Sequence, residues 1–130
     1  MSISNNNYME KKITLFFPNY RRGGLENSLL RIAKLLISNK YKITIIGNDI
    51  DKDEFIKSEN LKIININKKF KKSIFKKFCN IHIFQLFISS LICIKYSNII
   101  LTFQSPYIMI LLNFFYRKKI IIRESNHISY

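Results

Sequence analysis

At 130 residues the chain has room for one domain with its own core, and two full domains do not fit. Hydrophobic residues make up 48% of it, with only 3 Gly and 2 Pro, which excludes a disordered chain or a fibre. The 22 Lys and Arg against 8 Asp and Glu leave a formal charge of +14, a field that favours an anionic partner such as a nucleotide, a phosphorylated lipid, a membrane face or nucleic acid. A Lys-, Ile- and Asn-rich composition would produce much of the same excess with no partner at all.

The first apolar run, residues 13–17, follows Lys11 and Lys12 and is ended by Pro18 and Asn19, which reads as a buried strand. From Leu25 the apolar positions Leu29, Leu30, Ile32, Ala33, Leu36 and Ile37 recur at helical spacing, and the helix runs to about Asn39 with Glu26 in its first turn. The β-branched cluster Ile43, Thr44, Ile45 and Ile46 predicts a second strand over 41–47, covered on both faces. Residues 48–60 hold Asp49, Asp51, Asp53, Glu54 and Glu59 and read as a solvated loop or short helix before a third strand at 61–66.

A very basic segment follows, with Lys68, Lys69, Lys71, Lys72, Lys76 and Lys77 around Phe70, Ile74 and Phe75. An apolar helix then continues over 78–94, broken too often by polar residues to span a membrane, which takes ~20 consecutive apolar residues. Residues 98–103 give strand four, Pro106 suits a helix start, 108–115 supply helical material, and 119–123 give strand five. Strands alternating with helices at this interval predict right-handed crossovers: an α/β fold, an open parallel sheet of about five strands with helices on both faces. Residues 1–12 read as a flexible tail and 13–130 as the domain, incomplete at its carboxyl end because no helix follows the last strand.

Cys79 and Cys93 sit in an apolar run without metal-ligand spacing, which suits buried free thiols in a reducing compartment. The amino terminus has no apolar stretch flanked by basic residues, so a cytoplasmic location is expected. No metal site and no cofactor are expected. His82 on the apolar helix reads as a packed histidine, whereas His127 follows a strand end beside Glu124 and Asn126, where parallel-sheet enzymes place working residues.

The loop Arg21-Arg22-Gly23-Gly24 falls after strand one, at the carboxyl rim where open parallel sheets bind ligands. It matches neither GxGxxG nor GxxxxGK[ST], so dinucleotide binding and triphosphate hydrolysis lose weight. The order of strand, Arg-Arg-Gly-Gly-Leu-Glu, Leu-rich helix and second strand resembles the amino-terminal domain of family-four GT-B glycosyltransferases, whose Gly-Gly-x-Glu is matched by Gly23, Gly24 and Glu26. The segment after strand five, Arg123, Glu124, Ser125, Asn126 and His127, resembles the family's acceptor-side stretch, while the loop at 102–105 lacks a histidine that many members carry.

The resemblance implies a Rossmann-like fold and a nucleotide-sugar donor. It also implies a glycan or lipid-linked acceptor, with Arg21, Arg22, Gly23, Gly24, Glu26, Arg123, Glu124, Asn126 and His127 lining the substrate side. It further implies a second domain, carrying most donor contacts and a pair of glutamates, that is absent from these 130 residues, so the chain is expected to be a partial enzyme. The six lysines 68–77 suit contact with an anionic inner membrane face, at ~1 kcal/mol each, or else form a solvated loop. The alternative to a transferase half is a noncatalytic basic α/β domain that binds such a membrane or a partner protein. No motif supports nucleic acid.

Overall fold

The computed structural model describes residues 11–19, 23–66, 81–96, 98–103 and 106–123. Within them the elements run β1 (Lys12–Asn19), α1 (Gly24–Ser38), β2 (Lys42–Asn48), a 3-10 turn (Lys52–Glu54), β3 (Leu61–Asn65), α2 (Ile81–Tyr96), β4 (Ile99–Thr102), α3 (Pro106–Tyr116) and β5 (Lys119–Ile122). The five strands form one sheet in the order β3-β2-β1-β4-β5, and every neighbouring pair is parallel. This is the open Rossmann-like architecture expected from the alternation of Ile-rich runs with helices.

Alternation along the strands divides the core into two layers. Leu15 and Phe17 of β1 join Ile43 and Ile45 of β2 and Leu29 and Ala33 of α1 on one face. Phe16, Ile46, Ile64 and Ile100 point the other way, where Cys93 and Ile94 of α2 and Met109 and Leu112 of α3 cover them. The β-branched strands are therefore buried on both sides at the centre of the sheet, while β5, at one edge, leaves Ile121 and Ile122 exposed.

Three local features depart from the expectations above. Pro18 does not end the first strand: β1 continues to Asn19, and the register with β2 slips between Phe17 and Asn19. A proline lacks the N–H a ladder needs, and a bulge is where a strand tolerates that loss. Lys12, assigned above to a tail, begins β1 and pairs in register with Lys42. The acidic connection at 48–60 is not simply solvated, because Ile50 and Phe55 are buried within the α1-side layer. Asn65 pins it there: its Oδ1 accepts from Ile50 N at 2.8 Å, and its Nδ2 donates to Ile50 O at 2.9 Å.

Cys93 is fully buried on α2, and burial pushes its thiol well above the ordinary range. A raised thiol pKa in the folded state stabilises the fold while the group stays protonated. That contribution is intact below the unfolded thiol value, ~8.5, and is lost as pH climbs from there toward the folded value. Cys93 of the native protein is expected to resist thiol reagents at neutral pH and a Cys93→Ala variant to show a flatter decline of stability in alkali; rapid native-state labelling of Cys93 would contradict this.

Candidate site at the carboxyl ends of the strands

In a parallel sheet all strand ends share one rim, and the crossover direction reverses between β1 and β4 in the observed order. At such a reversal the connections leave on opposite faces of the sheet and open a crevice between them. The β1–α1 connection borders this crevice on one side, and the β4–α3 and β5 ends border it on the other.

Gly23 caps α1 without any side-chain hydrogen bond, and Asn27 N donates to Gly23 O at 3.3 Å to close the first turn. The remaining first-turn amides have no side-chain cap at that position, which leaves the positive end of the helix facing the rim. Gly24 has open space around it: a Cβ built there meets nothing within 4 Å. What Gly24 provides is bare backbone at the surface. Glu26, two residues further on, is buried on the same turn.

Arg123 continues the ladder just past β5, where its N–H donates to Thr102 O at 3.0 Å. Its guanidinium lies over the Phe103 ring at 5.8 Å, and Phe103 in turn packs against Phe17 with ring centroids 5.6 Å apart. The stack runs from the edge of the sheet to the end of its central strand, so among the described residues Arg123 is held toward the crevice by aromatic contact. Phe103 N donates to Phe16 O at 3.2 Å, which extends the β1–β4 pairing to the rim itself.

Asn48, the last residue of β2, is buried and its Oδ1 has no hydrogen-bond partner. A buried unsatisfied acceptor costs ~1–3 kcal/mol, which makes Asn48 a destabilising polar position at this rim. Thr14 Oγ1 is likewise unpartnered, but it sits mid-strand inside the sheet. A separate groove of about 220 Å³ between α1 and the 3-10 turn is lined mainly by Leu30, Ala33, Ile37, Phe55 and Ile56 and does not include the rim residues.

Of the residues expected to bind substrate, Gly23, Gly24, Glu26 and Arg123 therefore share one rim. Arg21, Arg22, Glu124, Asn126 and His127 lie outside the described residues, as do Lys68, Lys69, Lys71, Lys72, Lys76 and Lys77. Sequence reasoning missed Phe103 and Asn48, although both stand at strand ends, where that position alone is a signal. Among the described residues no cluster of His, Cys, Asp or Glu could hold a metal ion, and no helix is long and apolar enough to cross a membrane. No family of known proteins, no curated protein and no solved structure matches the chain.

Proposed function

We propose that the chain is the amino-terminal, acceptor-side part of a glycosyltransferase, working with a separate donor-binding domain to move a sugar from a nucleotide-sugar donor to a glycan or lipid-linked acceptor. The observation that supports this best is the convergence on the β1/β4 crevice of an uncapped helix start, a bare Gly24 and an aromatic-stacked Arg123. In this reading the first-turn amides of α1 and the Arg123 guanidinium draw the oxygens of the donor diphosphate, stabilising charge that develops as the sugar leaves. Bond breaking belongs to the assembled pair of domains.

A titration of the chain with nucleoside diphosphate sugars, followed by amide chemical shifts, tests the reading. Shifts are expected at 23–27, 103 and 123, with pyrophosphate reproducing those at 23–27 and 123. Gly24→Ala is expected to hold or raise stability by up to ~1 kcal/mol, since alanine favours helix and meets no neighbour, while weakening binding about ten-fold by crowding the bare backbone. Shifts confined to other parts of the sheet, or none, would sink the transferase reading in favour of a noncatalytic basic domain.

A further inference from the structure

α3 is apolar all round: its eleven residues, Pro106–Tyr116, include no charged group. Such a helix is ordinarily buried on every side or lies in a membrane. Among the described residues one side is covered, by Met109 and Leu112 against the sheet with Ile108 partly buried beside them. The opposite stripe, Tyr107, Ile110, Leu111 and Phe114, with Phe115 beside it, stands in the open; Tyr107 is 82%, Leu111 67%, Phe114 81% and Phe115 75% exposed. At ~1.5 Å per residue the helix is far too short to cross a bilayer core of ~30 Å.

The charge around it is one-sided. Because the strands are parallel, their first residues share the rim opposite the crevice, and there Lys12, Lys42 and Lys119 are exposed. α2 ends on the same rim with exposed Lys95 and Tyr96, and Lys62 stacks over the Tyr96 ring at 5.0 Å. α3 runs straight into exposed Arg117 and then Lys118. Arg117 takes a left-handed backbone (φ 51°) and its N–H donates to Asn113 O at 2.8 Å, while Asn113 Nδ2 donates to Lys118 O at 2.8 Å, so the backbone that carries these cations is fixed at the helix end. Asp49, Asp51, Asp53 and Glu54 belong instead to the connection that packs on the α1 side, and Glu59, in the turn before β3, is the acidic exception near the basic rim.

We infer that α3 is an interfacial anchor: Tyr107, Leu111, Phe114 and Phe115 insert among the acyl chains of an anionic bilayer while Arg117, Lys119 and Lys95 meet its phosphate headgroups. An apolar aromatic stripe ending in cations has the composition of helices that lie in a charged membrane interface. A second copy of the chain is the poorer occupant, because pairing α3 stripes would bring two bodies of formal charge +14 together. The inference does not depend on what the crevice binds.

The test is co-sedimentation of the full chain with vesicles of phosphatidylcholine alone or mixed with phosphatidylglycerol. Binding is expected only with the anionic lipid and should weaken with salt. Leu111→Glu with Phe114→Glu should lower partitioning at least ~10-fold, and Arg117→Gln or Lys119→Gln about five-fold each, with circular dichroism unchanged because all four side chains are exposed. The chain has no Trp, so Phe114→Trp supplies a single reporter whose emission should move to the blue on adding anionic vesicles. The inference is overturned by an unshifted emission, by loss of binding only when lysines 68–77 are neutralised, or by a dimer in solution that Leu111→Glu with Phe114→Glu converts to monomer. Loss of the nucleotide-sugar response at the crevice leaves these readouts untouched.

Discussion

Replacing Gly47 with alanine is expected to cost about 3–5 kcal/mol and to remove most of the cooperative unfolding transition. Gly47 lies near the end of β2, where its register partner is Phe17 on the central strand. A Cβ at this position would overlap the Phe17 carbonyl oxygen and stand 2.9 Å from its carbonyl carbon, with the Ile50 side chain at 3.1 Å on the other side. The obstacle is backbone of the strand that carries two neighbours, so it cannot swing aside as a side-chain tip would. Relief requires β1 and β2 to part just where the Pro18 bulge already breaks their pairing, and that would also shift the Phe17–Phe103–Arg123 stack. Urea denaturation followed by circular dichroism gives the answer, and a loss under ~1 kcal/mol would mean that the strands are not this close. Gly24→Ala is the internal contrast, the same chemical change made where the space is empty.

Phe16→Ala should lower stability by ~3–5 kcal/mol, the range for emptying a buried aromatic site. Phe16 is completely buried at the centre of the sheet, in register with Ile46 on one side and Thr102 on the other. Its layer is closed from above by α2 and α3 through Ile94, Met109 and Leu112, in one cluster with Ile46, Ile64 and Ile100, so filling the hole would take movement of several neighbours. Phe17→Ala removes an equal volume from the other layer, under α1. The backbone sheet lies between the two vacancies, so the α1-side loss should carry an added fall in binding at the crevice through Phe103, and the Phe16 variant should not. Equal effects of the two variants on ligand affinity would show that the aromatic stack does not position Arg123.

The strands were legible because their burial leaves a local mark. Ile43, Ile45 and Ile46 must be apolar on both faces, and β-branching suits extended backbone, so the run announces itself. α1 was legible for the same reason, with Leu29 and Ala33 recurring on its inner face. Gly47 was not, because its need for a missing side chain is set by Phe17, thirty positions away, and only the register brings the two together. The burial of Ile50 and Phe55 was hidden by the four acids around them, since a mainly charged segment can still turn two apolar side chains inward when Asn65 holds its backbone. α3 shows the opposite failure. Its composition looks like packed interior, and composition says nothing about whether there is enough neighbouring structure to cover it. At the crevice the glycines and Arg123 were found from their places after strands, while Asn48 went unnoticed because an unpaired acceptor is a property of surroundings, not of sequence.

Because all five strands point the same way, the molecule has two chemically different poles. With α3 lying in the interface from Tyr107 at the crevice end to Phe115 at the lysine end, both poles stand at the level of the bilayer surface. The crevice would then open along the leaflet, and a lipid-borne group could reach it by lateral diffusion without a long tether.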